Sequence, residues 1–256
     1  MRKIYLFTIL LFLLTNVLHS QEIRMSQKAS LEQVYGEVTE SESLLPFNDL
    51  GIEFGYVLYQ AEINIEAEDV VLELENVRDY AVIYLNNELQ GTVTDNRKKL
   101  SMKAAPGKYT LKLYAENIGR ITYGPEILDN SKGLFGSISF DGEEIENWTI
   151  TILGIKDCDV SNLQFEDNPE NSLPSFHKGN FEIAEPKDTY LNISGWGMGE
   201  VWINGQYLGS YWEEEKQQSI QIPASVLLKG RNELVVFDLK NNKQEILRLS
   251  DKPVFK

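Results

Sequence analysis

Five aromatic rings crowd one short stretch of this chain: Trp196, Trp202, Tyr207, Tyr211 and Trp212, with Asn204 and Gln206 between them. Exposed Trp and Tyr rings stack on the apolar C–H faces of sugars, and amides bond their hydroxyls. One reading of the stretch is therefore a surface for a glycan or a partner, carried by Trp196, Trp202, Asn204, Tyr207, Tyr211 and Trp212. The competing reading is that the rings pack a core. Alternation along a strand places Val201 and Ile203 on one face and Trp202 on the other, so at least one face is core. A second cluster, Glu116, Asn117, Arg120 and Tyr123, offers a four-residue spacing at which Glu116 and Arg120 can pair. On an exposed surface such a pair contributes little, and a structural role between domains is the expectation.

Other reactive types are sparse. Glu213, Glu214 and Glu215 form a charge run expected to be a solvated loop. Asp157 and Asp159 flank Cys158, too few oxygen ligands to define a cation site. His177 is the one histidine left once a leader peptide is removed, which excludes His-based metal sites and strains any Ser-His-Asp triad. No metal, no cofactor and no catalytic residue is expected.

The elements that must position these residues are strands. Asn204-Gly205 is a strong two-residue turn signal, and the strand formers Val201, Trp202 and Ile203 precede it. Val70–Leu74, Ala81–Leu85, Tyr109–Leu113 and Leu234–Phe237 read as further strands, and a short helix is expected near Leu31–Val38. Many short strands punctuated by Gly, Asn and Asp argue for β-sandwiches rather than a parallel α/β barrel.

The chain repeats itself. Ile83 to Gly91 aligns with Val201 to Gly209 at a constant offset of 118, which sets Asn86-Asn87 against Asn204-Gly205. Asp69–Leu74 matches Asp188–Ile193 at an offset of 119, and Pro106–Leu111 matches Lys229–Leu234 at 123. The same elements recur in the same order, as two copies of one sandwich with small loop insertions would produce. The expected division is a signal peptide at 1–20, an N-terminal arm at 21–44 that is loose or donates a strand, and a first β-sandwich at 45–150. A linker or long loop at 151–178, a second β-sandwich at 179–248 that can recruit a strand from elsewhere, and a tail at 249–256 complete it.

Composition bounds the setting. Arg2 and Lys3 precede an apolar run from Ile4 to Leu14, and Leu18-His19-Ser20 is a fair cleavage site. The expectation is export to a periplasm or exterior, with no stable membrane insertion, since the run falls short of the ~20 residues of a span. Cleavage takes the net charge from −15 to −17, a poor surface for nucleic acid. The single cysteine forms no intrachain disulfide, so the core alone must hold the fold.

Several motifs in order give the chain a relationship. Gly195 to Trp212, Leu45–Gly51, Phe54–Tyr59, Glu116–Gly124, Lys132–Gly136, Trp148 and Gly230–Leu239 resemble the C-terminal β-domains of glycoside hydrolase family 35, the β-galactosidases. Ser210 stands where that family usually has Arg, and Lys216-Gln217 where it usually has Gly-Pro. The resemblance implies an all-β protein of two tandem jelly-roll, galactose-binding-like sandwiches without the catalytic barrel. Retaining glycosidases need two carboxylates about 5 Å apart. In the family both lie in the barrel, a fold of ~250 residues for which these sandwiches leave no room. The expected role is an exported accessory protein that binds a glycan or a glycosidase partner. The alternatives are a subunit of a split β-galactosidase whose barrel is separate, or a remnant without ligand. Self-association through aromatic surfaces left by the barrel, with Tyr123, Trp196 and Trp212 unusually exposed, is a further expectation.

Overall fold

A computed structural model describes residues 21–117, 131–167, 173–240 and 243–256. Strand β1 (Glu22–Ser30) runs through a 3-10 turn, Leu31–Val34, into β2 (Tyr35–Ser41). The helix expected at Leu31–Val38 is this single turn, because Tyr35 onward pairs as an edge strand with β11 (Trp148–Leu153). Between them lie β3 (Gly55–Ile65), β4 (Asp69–Arg78), β5 (Tyr80–Leu85), β6 (Glu88–Thr94) and β7 (Lys99–Lys103). They are followed by β8 (Gly107–Asn117), β9 (Gly133–Phe140) and β10 (Glu143–Glu144). The rest comprises β12 (Glu166–Asp167), β13 (Ser175–Ile183), β14 (Thr189–Asn192), β15 (Met198–Ile203), β16 (Gln206–Trp212), β17 (Ser219–Ile222), β18 (Gly230–Asp238) and β19 (Ile246–Ser250).

These strands make two sandwiches. In the first, a sheet ordered β2-β11-β3-β8-β5-β6 faces one ordered β10-β9-β4-β7. In the second, β16-β15-β18-β13-β1 faces β19-β14-β17, and β1 belongs to both layers. Its first residues pair with β19 and its later ones with β13, with a register shift between Met25 and Gln27. Bulges let one strand turn a corner between layers in this way.

The N-terminal segment is therefore divided between the domains: residues 22–30 complete the second sandwich and 35–41 edge the first. The expected linker at 151–178 carries the end of β11 and the start of β13, so the sandwiches extend past those bounds. Residues 1–20, read as a signal peptide, lie outside the described residues.

The repeat is legible in the topology. Strands β3, β8, β5 and β6 sit side by side in the first sandwich as β13, β18, β15 and β16 do in the second, while β4-β7 corresponds to β14-β17. Both hairpins carry a register shift at the equivalent step, Ile83/Tyr84 and Val201/Trp202. Asn86 and Asn204 both open their turns at positive φ, 54° and 50°, a conformation Asn tolerates better than most residues.

Strand alternation then creates three cores. On β5, Ala81, Ile83 and Leu85 fill the first sandwich, with Val57, Leu72 and Trp148. On β15, Val201 and Ile203 fill the second, with Trp196, Leu191 and Val236. The opposite faces of the same strands meet each other. Tyr80, Val82 and Tyr84 of β5 and Tyr114 of β8 pack with Met198 and Trp202 of β15 and with Val235 and Phe237 of β18. The two copies thus join through the same face of each, and β5 and β15 are buried on both sides. Three tyrosines of the first sandwich carry this seam's polar load. The Tyr56 hydroxyl donates to Glu200 at 2.7 Å, Tyr80 to Glu213 at 3.3 Å, and Tyr84 to the Lys240 carbonyl at 2.8 Å. Buried Tyr hydroxyls need such partners, and here they fix the docking of one domain on the other.

Candidate functional site

Charge is buried at one end of the seam. Alternation on β15 sets Glu200 between Met198 and Trp202, facing the first sandwich, and alternation on β8 sets Glu116 beyond Tyr114, facing the second. Both are buried, Glu116 at 1% and Glu200 at 0% exposure. Lys156, just past β11, reaches between them: its Nζ lies 3.7 Å from Glu116 Oε1 and 3.5 Å from Glu200 Oε1. Glu200 is saturated, since Oε1 accepts the Tyr56 hydroxyl and Oε2 the Tyr207 hydroxyl, each at 2.7 Å. Glu116 is not: its Oε2 has no hydrogen-bond partner among the described residues. Burial pushes the Glu116 carboxyl up to about 8, with Lys156 opposing the rise and Glu200 and Asp79 adding to it.

Beside Glu116 opens a cavity of about 280 Å³. Lys156, Ser210, Tyr211, Trp212 and Gln217 are among its lining residues. Trp212 is partly buried, stacks edge-on against Tyr80 at 5.9 Å, and its indole Nε1 has no acceptor among the described residues. An orphan donor and an orphan acceptor therefore belong to residues lining the same cavity. Most buried polar atoms in folded proteins are satisfied, so such a pair points to an absent ligand or water. Ser210 and Gln217, two of the positions that depart from the family pattern, also line it.

Two exposed rings flank the same ion cluster. Phe54 is 56% and Tyr207 47% exposed. The Phe54 ring lies 5.6 Å from Lys156 Nζ, while Tyr207 holds Glu200. Burial with the nearby carboxylate pushes the Tyr207 hydroxyl up to about 12, so it remains a donor.

The aromatic residues expected at a surface divide. Trp196 is 1% exposed, packs edge-on against His177 and donates to the Ile246 carbonyl at 3.3 Å. Trp202 is 2% exposed, between Phe176 and Tyr207. Tyr211 is 5% exposed and donates to the Phe237 carbonyl at 2.9 Å. The expectation of unusual exposure is overturned for Trp196, and Trp202 is core as well, because both faces of β15 are covered. Asn204 is bound into its turn: it donates to the Val226 carbonyl and to Asn232, and accepts the Glu233 N–H. Tyr207 and Trp212 remain at the site. Asn117 donates to the Glu53 carbonyl at 2.6 Å. Arg120 and Tyr123 lie outside the described residues.

The acidic run is likewise mixed, with Glu214 and Glu215 exposed while Glu213 is half-buried in the seam, bonded to Tyr80 and Lys240. Asp159 caps a 3-10 turn through the Ser161 N–H. Sequence reasoning missed Glu200, Lys156, Tyr56 and Phe54. One signal was present: Glu200 matches apolar Val82 at the offset of 118, a charge entering a position that is core in the other copy.

Family models match twice. Residues 45–154 match the first all-beta domain of beta-galactosidase, and residues 174–232 its galactose-binding domain. The chain belongs to the β-galactosidase family, of which it carries the β-domains. A human beta-galactosidase-1-like protein 2 is 30% identical over 214 residues, covering 79% of this chain and 33% of that protein. A Bos taurus beta-galactosidase is 31% identical over 245 residues, covering 83% of this chain and 37% of that one. One from Xanthomonas manihotis is 30% identical over 189 residues, covering 73% and 31%. The chain thus spans about a third of the length of the curated relatives it matches. The β-domain match fits the strand order above, with the first model ending where β11 ends and the second beginning at β13.

Proposed function

We propose that this chain is an exported, non-catalytic accessory protein, of the family 35 type, that binds a glycan. The observation that carries the reading is the pair of exposed rings, Phe54 and Tyr207, held against the Lys156–Glu200 ion pair, whose Lys156 also lines the cavity. Exposed aromatics held in fixed positions beside buried hydrogen-bonding groups suit a ligand with apolar faces and many hydroxyls. The cluster itself does not suit hydrolysis. Both Glu200 oxygens are engaged and Glu200 does not line the cavity, while Glu215, which does, is an exposed side chain of the acidic run, so no second carboxylate is held in place beside Glu116 as the pair for glycoside cleavage would be. The net charge of −15 disfavours nucleic acid and anionic membrane as partners.

The test is glycan binding by the mature chain on an array of β-galactoside-containing oligosaccharides, run beside an aryl β-galactoside assay. Binding without turnover is the expected result, and Phe54→Ala lowers binding at least fivefold with little change in melting temperature. Turnover that follows the protein through purification, or absence of binding to every glycan, overturns the reading.

A second reading rests on the relatives named above, which are β-galactosidases or β-galactosidase-like proteins. Here the chain is one subunit of a split enzyme. Activity that arises only on mixing with a separately produced barrel supports it.

A further inference from the structure

Two buried polar atoms without partners among the described residues belong to residues lining the cavity between the sandwiches, and their chemistry narrows the occupant. Glu116 Oε2 and Trp212 Nε1 are buried atoms without partners among the described residues, and both residues line the hollow. Its volume of about 280 Å³ admits a single sugar ring rather than an oligosaccharide. Its lining residues include the aromatic Tyr211 and Trp212 beside the polar Ser210, Ser219 and Gln217. Such a wall offers apolar faces with donors and acceptors spread around them, which matches a polyhydroxylated ring.

Charge decides among sugars. Glu116 and Glu215 line the cavity, and Lys156, the one cation lining it among the described residues, is paired with the Glu200 carboxylate at 3.5 Å. Among the described residues lining the cavity no unpaired cation meets an anionic sugar, whose burial there would carry a high cost. A cationic sugar gains little from Glu116, whose carboxyl is largely neutral at pH 7 because burial holds it up at about 8. In that state it offers an O–H to a ligand hydroxyl as well as a lone pair.

We propose that this cavity is a binding site for one neutral monosaccharide unit, with Glu116 and the Trp212 indole N–H as its hydrogen-bonding anchors. The proposal deepens the glycan reading and rests on it, while assigning the ligand to a place distinct from the exposed rings. The two ends are joined through Lys156, which touches Phe54 on one side and Glu116 on the other, so a terminal sugar in the cavity would leave its chain running over Phe54.

The experiment is calorimetric titration of the full mature chain with D-galactose, D-galactosamine and D-galacturonate at pH 6.5. Wild type, Trp212→Phe, Glu116→Ala and Ser210→Arg are compared, each checked for unchanged near-UV circular dichroism. Trp212→Phe keeps an aromatic ring, though a smaller one, and removes the donor. Ser210→Arg places a long side chain in the hollow without touching the core. Expected are measurable binding of galactose, at least tenfold weaker binding of galacturonate, a five- to twentyfold loss in Trp212→Phe and Glu116→Ala, and no binding in Ser210→Arg. If array glycans bind wild type and Ser210→Arg alike, the cavity proposal falls while the glycan reading stands on Phe54. If no glycan binds at all, both fall. If galacturonate binds as tightly as galactose, or a galactose-soaked crystal shows only water between Glu116 and Trp212, the proposal is overturned.

Discussion

Asn86 and Asn204, 118 residues apart, make the same pair of hydrogen bonds in two different sandwiches. The Asn86 N–H donates to the Thr110 carbonyl at 2.8 Å, and its Oδ1 accepts the Thr110 N–H at 3.0 Å. The Asn204 N–H donates to the Glu233 carbonyl at 3.0 Å, and its Oδ1 accepts the Glu233 N–H at 2.9 Å. Thr110 and Glu233 are themselves separated by the 123-residue offset of their strands. Each asparagine ties a hairpin tip to the third strand of its sheet, which keeps the seam-facing side chains of β5 and β15 in register.

The two sites differ in what else they hold. Asn204 also donates to the Val226 carbonyl and to Asn232, which is itself buried and organises the turn before β18. Asn204→Ala leaves several buried polar groups unpaired and forces Ala into positive φ. A loss of roughly 2–4 kcal/mol is expected, against about 1–2 kcal/mol for Asn86→Ala. Urea unfolding of the two variants checks the order, and an equal loss would refute the added role of Asn232.

Glu116 makes stability fall as pH rises. Its carboxyl titrates at about 8 in the folded protein, against 4.5 ordinarily. Between those values the folded state holds a proton that the unfolded chain has released. The favourable contribution is thus complete below about pH 4.5 and is lost as pH climbs to about 8. Glu116→Gln removes this dependence. The wild-type-minus-variant difference in unfolding free energy should drop by on the order of a few kcal/mol from pH 4.5 to 8.5. A flat difference would show that Glu116 is ionised throughout.

His177 acts at the other end of the scale. Burial, with Lys28 adding to it, lowers its imidazole to about 3. The unfolded chain takes up a proton below about 6.5 and the folded one does not. This contribution is present above 6.5 and is lost as pH falls toward 3. Neither ring nitrogen has a hydrogen-bond partner among the described residues. His177→Leu should raise stability at pH 7 by about 1 kcal/mol and move acid unfolding to lower pH. Unfolding followed by tryptophan fluorescence from pH 7 to 3 tests this, and an unchanged acid midpoint would refute it.

Gly199 permits the approach of β15 to β18. A Cβ there would collide with the Phe237 carbonyl oxygen and stand 3.0 Å from the Tyr211 hydroxyl that bonds it. The nearest obstacle is backbone, so it cannot swing aside. Gly199→Ala should cost more than about 3 kcal/mol or prevent folding, measured by soluble yield and melting temperature. A variant that melts within two or three degrees of wild type would contradict this close packing.

The sequence by itself determined the strands, the hairpins and the repeat. Those signals are local: period-two alternation, Asn-Gly at a turn, and one offset shared by Ile83–Gly91 and Val201–Gly209. It also determined the family, whose motifs lie in order along the chain. What it left undecided is which faces of the strands are covered. Alternation says that Val201 and Trp202 point in opposite directions, but not that a second sandwich waits for Trp202. That depends on strands more than 100 residues away, Tyr56 on β3 and Tyr80 and Tyr84 on β5, whose hydroxyls find their acceptors only once the domains dock. The same docking buries Glu116 and Glu200 against Lys156, leaves Glu116 Oε2 and Trp212 Nε1 without partners among the described residues, and moves the candidate site from the hairpin's rings to the seam beside it. It also drew residues 22–30 into the far sandwich, since an edge can be closed by any strand of suitable pattern wherever it lies in the chain.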